Sequence, residues 1–410
     1  MPIDFARVPP RVPVPDVPRP SMLFWAVLLC AMLGLGAALT IFLWPVDRPT
    51  NTVRFGIYAV GFPVMAWGFL LSGYLGLSYL QVSQATATNR ASKKIEDACH
   101  ALAGMPLAML GHAWCFSCND QVNRAQGIVE GAVRMASQPS GVDPGVNINA
   151  RWLQIPDRPF FPGNELTEHA RHRVVGDWLL ERLVERIGNG LVSLPARTAL
   201  HVDLYVQSMA DLAEMTTCLE SLIRAKAPTL RIAVSASPEP PSLFAIDRWH
   251  NRLPPREAQL VVLLRLHNAV SELLPNGAAE AGVAILLGQA GVVPRQRENP
   301  STLLLHRPAI SAPDRVKDTV QLAVRWGQAQ ASQIRAIWNH GLSEDLARSV
   351  KSGFGDGEQW VHVDKTIGNC AGVGDWMAVA LAAEHALITG EPQLILSQQG
   401  SDFIALLCRT

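Results

Sequence analysis

Charge is scarce in this chain, and neither sign prevails. Its 410 residues hold 35 Lys and Arg against 35 Asp and Glu, so the formal net charge is zero. Without a basic excess there is no electrostatic footprint for nucleic acid. Cysteine is sparse as well: seven residues are dispersed, with Cys30 inside an apolar run. That excludes an evident disulfide framework and fits a reducing compartment. Signatures of whole enzyme classes are also missing. No G-x-S-x-G and no H-E-x-x-H occurs, which leaves serine hydrolases of the elbow type and zincins without support. "GQAGVVP" has too few glycines for a dinucleotide fingerprint.

Hydrophobic residues, by contrast, make up 49% of the chain. Residues 20–46 and 55–80 contain no charged side chain. Each run exceeds the ~20 residues that cross a ~30 Å hydrocarbon core. Trp25, Trp44, Tyr74 and Tyr79 sit near the ends, where amphipathic rings favour the interface. The first run is too long for a signal peptide and lacks a small-residue cleavage site. Arg7, Arg11 and Arg19 precede the spans, and Arg90, Lys93 and Lys94 follow them. Against Arg48 and Arg54 between them, this bias predicts a bacterial inner-membrane hairpin with both termini cytoplasmic.

The organisation read from composition is a Pro-rich disordered tail (1–19), a two-helix hairpin (20–81), a polar linker (82–94) and a soluble domain (95–410). Helices are expected at 94–102, 125–137 and 165–187, the last stopped by "GNG" at 188–190. Strand and helix patterns then alternate. Strands fall at 199–206, 230–237, 258–267, 282–288, 301–308 and 334–341, with helices at 209–226, 314–329 and from Ser343, and a terminal hairpin closes the chain. This is an α/β pattern with mixed strand directions.

Three segments in the last 133 residues carry a resemblance. "AAEAGVAILLG" (278–288), "IRAIWNHGLSEDLA" (334–347) and "VHVDKTIGNCAGVGDWMAVALA" follow in order. They resemble the acidic-glycine strand, the histidine strand and the lysine-then-histidine segment of β-ketoacyl synthases, in the thiolase-like superfamily. The resemblance implies a thiolase-like layered fold of mixed sheets with helices, in two halves at about 95–255 and 256–410. It also implies pairing as a homodimer or pseudo-dimer through the sheet. Its chemistry requires a cysteine on a helix N-terminus as acyl acceptor. Two His, or a His and an Asn, donate to the carbonyl oxygen as charge develops there, and a lysine supports them. His340 matches the first histidine and Lys365 the lysine. Asn369 stands where decarboxylating members have the second histidine.

The nucleophile motif of that family is missing, and Cys218, within a helix pattern, is the candidate left for the role. The turn after His340 lacks the family's Thr-x-Thr, and "SQQGSD" lacks its Phe-Gly pair. Losses at separate catalytic elements favour a degenerate domain. The expectation is a pseudoenzyme that binds protein partners at the membrane as an adaptor, with no cofactor. Such accessory proteins occur beside bacterial secretion clusters, so the analogy extends to a type VI secretion component or effector. The alternative is a membrane-associated acyltransferase or condensing enzyme. A zinc or redox site would draw on Cys99, His112, Cys115 and Cys118. "EHARHR" (168–173) reads as a solvated helix face. Trp360 and Trp376 flank the glycine loop and are expected to fill the space an acyl chain would take.

Overall fold

The computed structural model describes residues 5–16, 20–290, 302–354 and 357–410. The ends of the tail, Ser301 and most of "GQAGVVP" lie outside the described residues. Contacts divide the chain into two units, Asp4–Cys99 and His100–Thr410, each described by itself.

In the first unit α1 (Met22–Leu43) starts at Ser21, whose hydroxyl accepts from the Phe24 amide. Helix α2 (Val53–Ala103) runs through one π-helical turn at Ile57–Gly61. Both helices are long and apolar enough to cross a membrane. They meet where Gly36 faces Pro63; a Cβ on Gly36 would lie 2.2 Å from the proline ring. Two sequence expectations change here. Residues 82–94 are helical throughout, because their small and polar side chains are acceptable helix formers and no Pro or Gly interrupts them. The described part of the tail is ordered along α2. The Asn89 side chain bonds both backbone groups of Val12 at 2.8 Å, Ser92 donates to the Pro9 carbonyl, and Arg11 pairs with Glu96. Prolines lower the entropy lost in fixing such a strap.

The second unit is built from one motif used twice. The first copy comprises β1 (Leu107–Cys115), α3 (Glu165–Ser193), β2 (Ala199–Gln207), α4 (Leu212–Lys226), β3 (Arg231–Ser237), α5 (Ala245–Arg252), β4 (Glu257–Arg265) and β5 (Ala281–Gln289). The second comprises β6 (Leu304–Leu305) with its neighbour β7 (Ala309–Ser311), α6 (Val316–Trp326), β8 (Ala336–His340), α7 (Glu344–Lys351), β9 (Gln359–His362), α8 (Gly372–Thr389), β10 (Gln393–Gln399) and β11 (Asp402–Arg409). Strand order is β3-β2-β4-β5-β1 in one copy and β9-β8-β10-β11-β6 in the other. In each, the first three strands of that order are parallel and the last two pairings antiparallel. The copies join where Leu107 and Ala108 pair with Leu305 and Leu304. The result is a mixed α/β layered fold. Its halves divide after β5, not near residue 255, because β4 and β5 complete the first sheet. "AAEAGVAILLG" therefore belongs to the first half.

Helix α8 is buried along almost its whole length and packs on strands of both copies. Apart from Asp375, Glu384 and His385 it is apolar on most of its surface, as a helix covered by strands of both copies must be. Elsewhere the expected elements shift. The helix expected at 125–137 is only Ala125–Val129. Helix α3 does not stop at Gly188–Gly190 but continues to Ser193. Gly190 is there for contact: a Cβ would lie 2.3 Å from the Leu110 carbonyl oxygen on β1.

Candidate functional site

Strand register builds the site. His340 ends β8 and lies beside Ser397 of the parallel β10. Gln399 follows two residues on, its side chain on the same face as Ser397. Asp375 stands in the first turn of α8, where the helix dipole favours a carboxylate. It gathers all three. Its Oδ1 accepts from His340 Nδ1 at 2.8 Å and from the Ser397 hydroxyl at 2.6 Å. Its Oδ2 accepts from Gln399 Nε2 at 2.9 Å, and Gln399 in turn accepts from the Ser242 hydroxyl. Gly374 is required beside them, since a Cβ would lie 2.3 Å from His340 Nε2.

His340, Asp375 and Ser397 are buried. Burial by itself disfavours the imidazolium of His340. The hydrogen bond and charge of Asp375 reverse this and hold its pKa above the usual histidine value. A protonated ring held in this way can donate a hydrogen bond but is a poor base. The Ser397 hydroxyl donates to Asp375, so no serine–histidine nucleophile pair is formed.

The three residues matched in sequence are not joined by any hydrogen bond or ion pair among the described residues. Lys365 is exposed, in a short helix (Val363–Thr366), and its charge acts on His362. Asn369 is exposed too, and its Oδ1 accepts from the Ala371 amide. Its backbone bridges to Ala278 and bonds Gly277 and Ala279. Ala371 then takes φ 45° and ψ −139°, a conformation that L-residues avoid.

The half-repeat shows what faces this loop. The counterpart of the chain before α8 is the chain before α5, residues 238–244. It carries Pro, Glu, Pro, Pro, Ser, Leu and Phe between Ser237 and Ala245, and no cysteine. A Cβ on Gly372 would lie 2.4 Å from the Pro240 ring, and Trp376 Nε1 donates to the Pro241 carbonyl at 2.7 Å. Trp376 is fully buried and its ring lies 5.8 Å from that of Trp249. Trp360 is half-buried on β9, packed beside α6 and α7.

Cys218 lies on α4, in a helix pair with α3, apart from this loop. Burial and then Asp177 push its thiol up to about 11, the wrong direction for a nucleophile. Burial likewise pushes Cys115 and Cys370 up to about 12, and Cys118 up to about 11. The metal set does not assemble. His112 bonds Glu384 on α8 and stacks on Trp114, whereas Cys115 points into the opposite core, as alternation along β1 requires. Cys99 belongs to the other unit. Among the described residues no three His, Cys, Asp or Glu side chains could hold a metal ion.

"EHARHR" is also corrected. His169 and Arg173 are exposed, but Glu168, Arg171 and His172 are buried. Arg171 bonds Glu168 at 2.9 Å and both oxygens of Glu280 at 2.7 and 2.8 Å. These residues extend the stripe of Val175 and Leu179 one turn backwards, so helical periodicity could have found them. Asp375, Ser397 and Gln399 had a weaker signal: an acid in the first turn of a helix, and polar residues ending a buried strand.

No protein-family model matches the chain, and no curated protein matches its sequence. Solved structures are similar in fold. The ishigamide ketosynthase/chain length factor is 12% identical, with 74% of this chain and 99% of that chain covered and a TM-score of 0.48. A Xanthomonas campestris OleA variant is 10% identical, with 74% and 98% covered and a TM-score of 0.46. The acyltransferase ChlB3 is 11% identical, with 74% and 98% covered and a TM-score of 0.43.

Proposed function

We propose that the chain is a membrane-anchored, thiolase-like adaptor that has lost condensing activity and binds protein partners at the bacterial inner membrane. One observation carries the reading. The loop facing the His340–Asp375 network offers Pro240 and Pro241, packed on Gly372 and Trp376, in place of a nucleophile. Burial pushes up the thiols of Cys115, Cys118, Cys218, Cys370 and Cys408 and so favours their neutral form. A domain with such a closed centre contributes a surface rather than a reaction. A secretion component or effector, as in type VI systems, is the partner class we favour.

The condensing-enzyme alternative draws on the buried His340–Asp375 pair, which keeps a protonated donor of the kind a carbonyl oxygen uses. One experiment separates the two. The full chain is purified from membranes in mild detergent, crosslinked, and incubated in parallel with a labelled acyl thioester. The adaptor reading expects a stoichiometric protein partner and no acyl group retained after denaturation. Retained acyl label on one residue, with no stoichiometric partner, contradicts it.

A further inference from the structure

The two buried arginines of this domain are ion-paired: Arg171 with Glu168 and Glu280, and Arg307 with Asp247 at 2.6 Å. Arg151 is half-buried, burial lowers its pKa, and no carboxylate among the described residues pairs with it. Its guanidinium lies 5.0 Å over the Phe116 ring, and one Nη2–H bonds the Arg134 carbonyl at 3.0 Å. The remaining N–H groups of the fork have no described protein acceptor and are free to take an anion.

The space beside it is a cavity of about 600 Å³, a size that suits a small organic ligand. Val122, Pro156 and the edge of Trp152 give it apolar walls, and Ser117, Gln138 and Gln154 add hydrogen-bonding groups. None of its lining residues belongs to the His340 network. It is therefore a second site, independent of the proposed adaptor role.

We propose that this cavity binds a small organic anion, its carboxylate or phosphate on the Arg151 fork and its flat apolar body against Val122, Pro156 and the exposed edge of Trp152. A planar fork matches both head groups bidentately, and an apolar body would cover these groups where a neutral, purely polar ligand would not. A head group alone would leave those apolar groups uncovered; a body alone would leave the free N–H groups of the fork unpaired.

The test uses the full chain in nanodiscs and calorimetric titration with 2-naphthoate, 2-naphthyl phosphate, 2-naphthamide and inorganic phosphate. The first two probes distinguish a carboxylate from a phosphate ligand, and binding by either supports the site. Arg151→Gln should weaken that binding at least tenfold, while Arg151→Lys retains part of it. Ala136→Trp fills the cavity from an exposed lining position and should abolish binding with the arginine retained. The proposal is overturned if neither naphthyl anion binds, if 2-naphthamide or inorganic phosphate binds as tightly, or if Ala136→Trp leaves binding unchanged.

Discussion

At the residue scale, the Asp375 carboxylate decides the character of the centre. Three donors converge on it, and its charge keeps His340 protonated more readily than a free histidine. The linkage has a defined sign. A histidine whose folded pKa is raised contributes stability fully below its unfolded value of 6.5 and loses it as pH rises through the folded value. Burial lowers His250 and His306 to about 3 and about 4, and these act oppositely, costing stability as pH falls below 6.5. The difference between wild type and Asp375→Asn therefore isolates the pair. Urea unfolding should show a loss of about 2 kcal/mol from the disrupted buried hydrogen bonds. That loss should be largest near pH 6 and shrink as pH rises. A difference independent of pH would show that Asp375 does not govern the charge of His340. Of this centre, His340 was legible because it follows a strong apolar strand. Asp375 was not, because its role arises only when α8 is laid across β8 and β10.

At the element scale, glycines that look alike in sequence act differently. Gly188 and Gly190 both suggest a helix stop, but α3 passes through them. A Cβ on Gly188 meets only the Lys226 side chain at 3.8 Å, whereas one on Gly190 meets a backbone carbonyl at 2.3 Å. Gly188→Ala should stabilise the chain by up to about 1 kcal/mol through helix propensity. Gly190→Ala should destabilise it by about 1–3 kcal/mol through overpacking. Thermal melts of the two variants read the opposite signs, and stabilisation by both would return Gly190 to a simple stop. Ahead of α8, Ala371→Gly should relieve the strained backbone and raise stability by about 1 kcal/mol; a fall in the melting temperature would contradict that strain. Local periodicity reports which face of an element is apolar. It does not report how closely another backbone will approach, and that is why the α3 terminus was misplaced while β2, β4, β5 and the closing hairpin were legible.

At the scale of the whole molecule, the duplicated motif explains what sequence order alone obscured. The three family-like segments read as one half of a domain, yet the first of them completes the first sheet. The two apolar runs were plain because no charge interrupts them. The strap along α2 was not, because polyproline composition reads alike whether free or docked. The same duplication sets the chain before α5 against the chain before α8 as counterparts, one with prolines and the other with a strained turn in which Asn369 accepts from the Ala371 amide. On that comparison rests the central claim of the proposal, that no nucleophilic cysteine stands opposite the His340–Asp375 network.

The most direct test is the alkylation rate of every cysteine in the intact protein, measured by mass spectrometry during iodoacetamide and cerulenin exposure at neutral pH. The account predicts that Cys115, Cys118, Cys218, Cys370 and Cys408 react no faster than a free model thiol, and that cerulenin modifies none of them stoichiometrically. A single soluble-domain cysteine that reacts far faster than the rest, and whose labelling is slowed by His340→Ala, would contradict it.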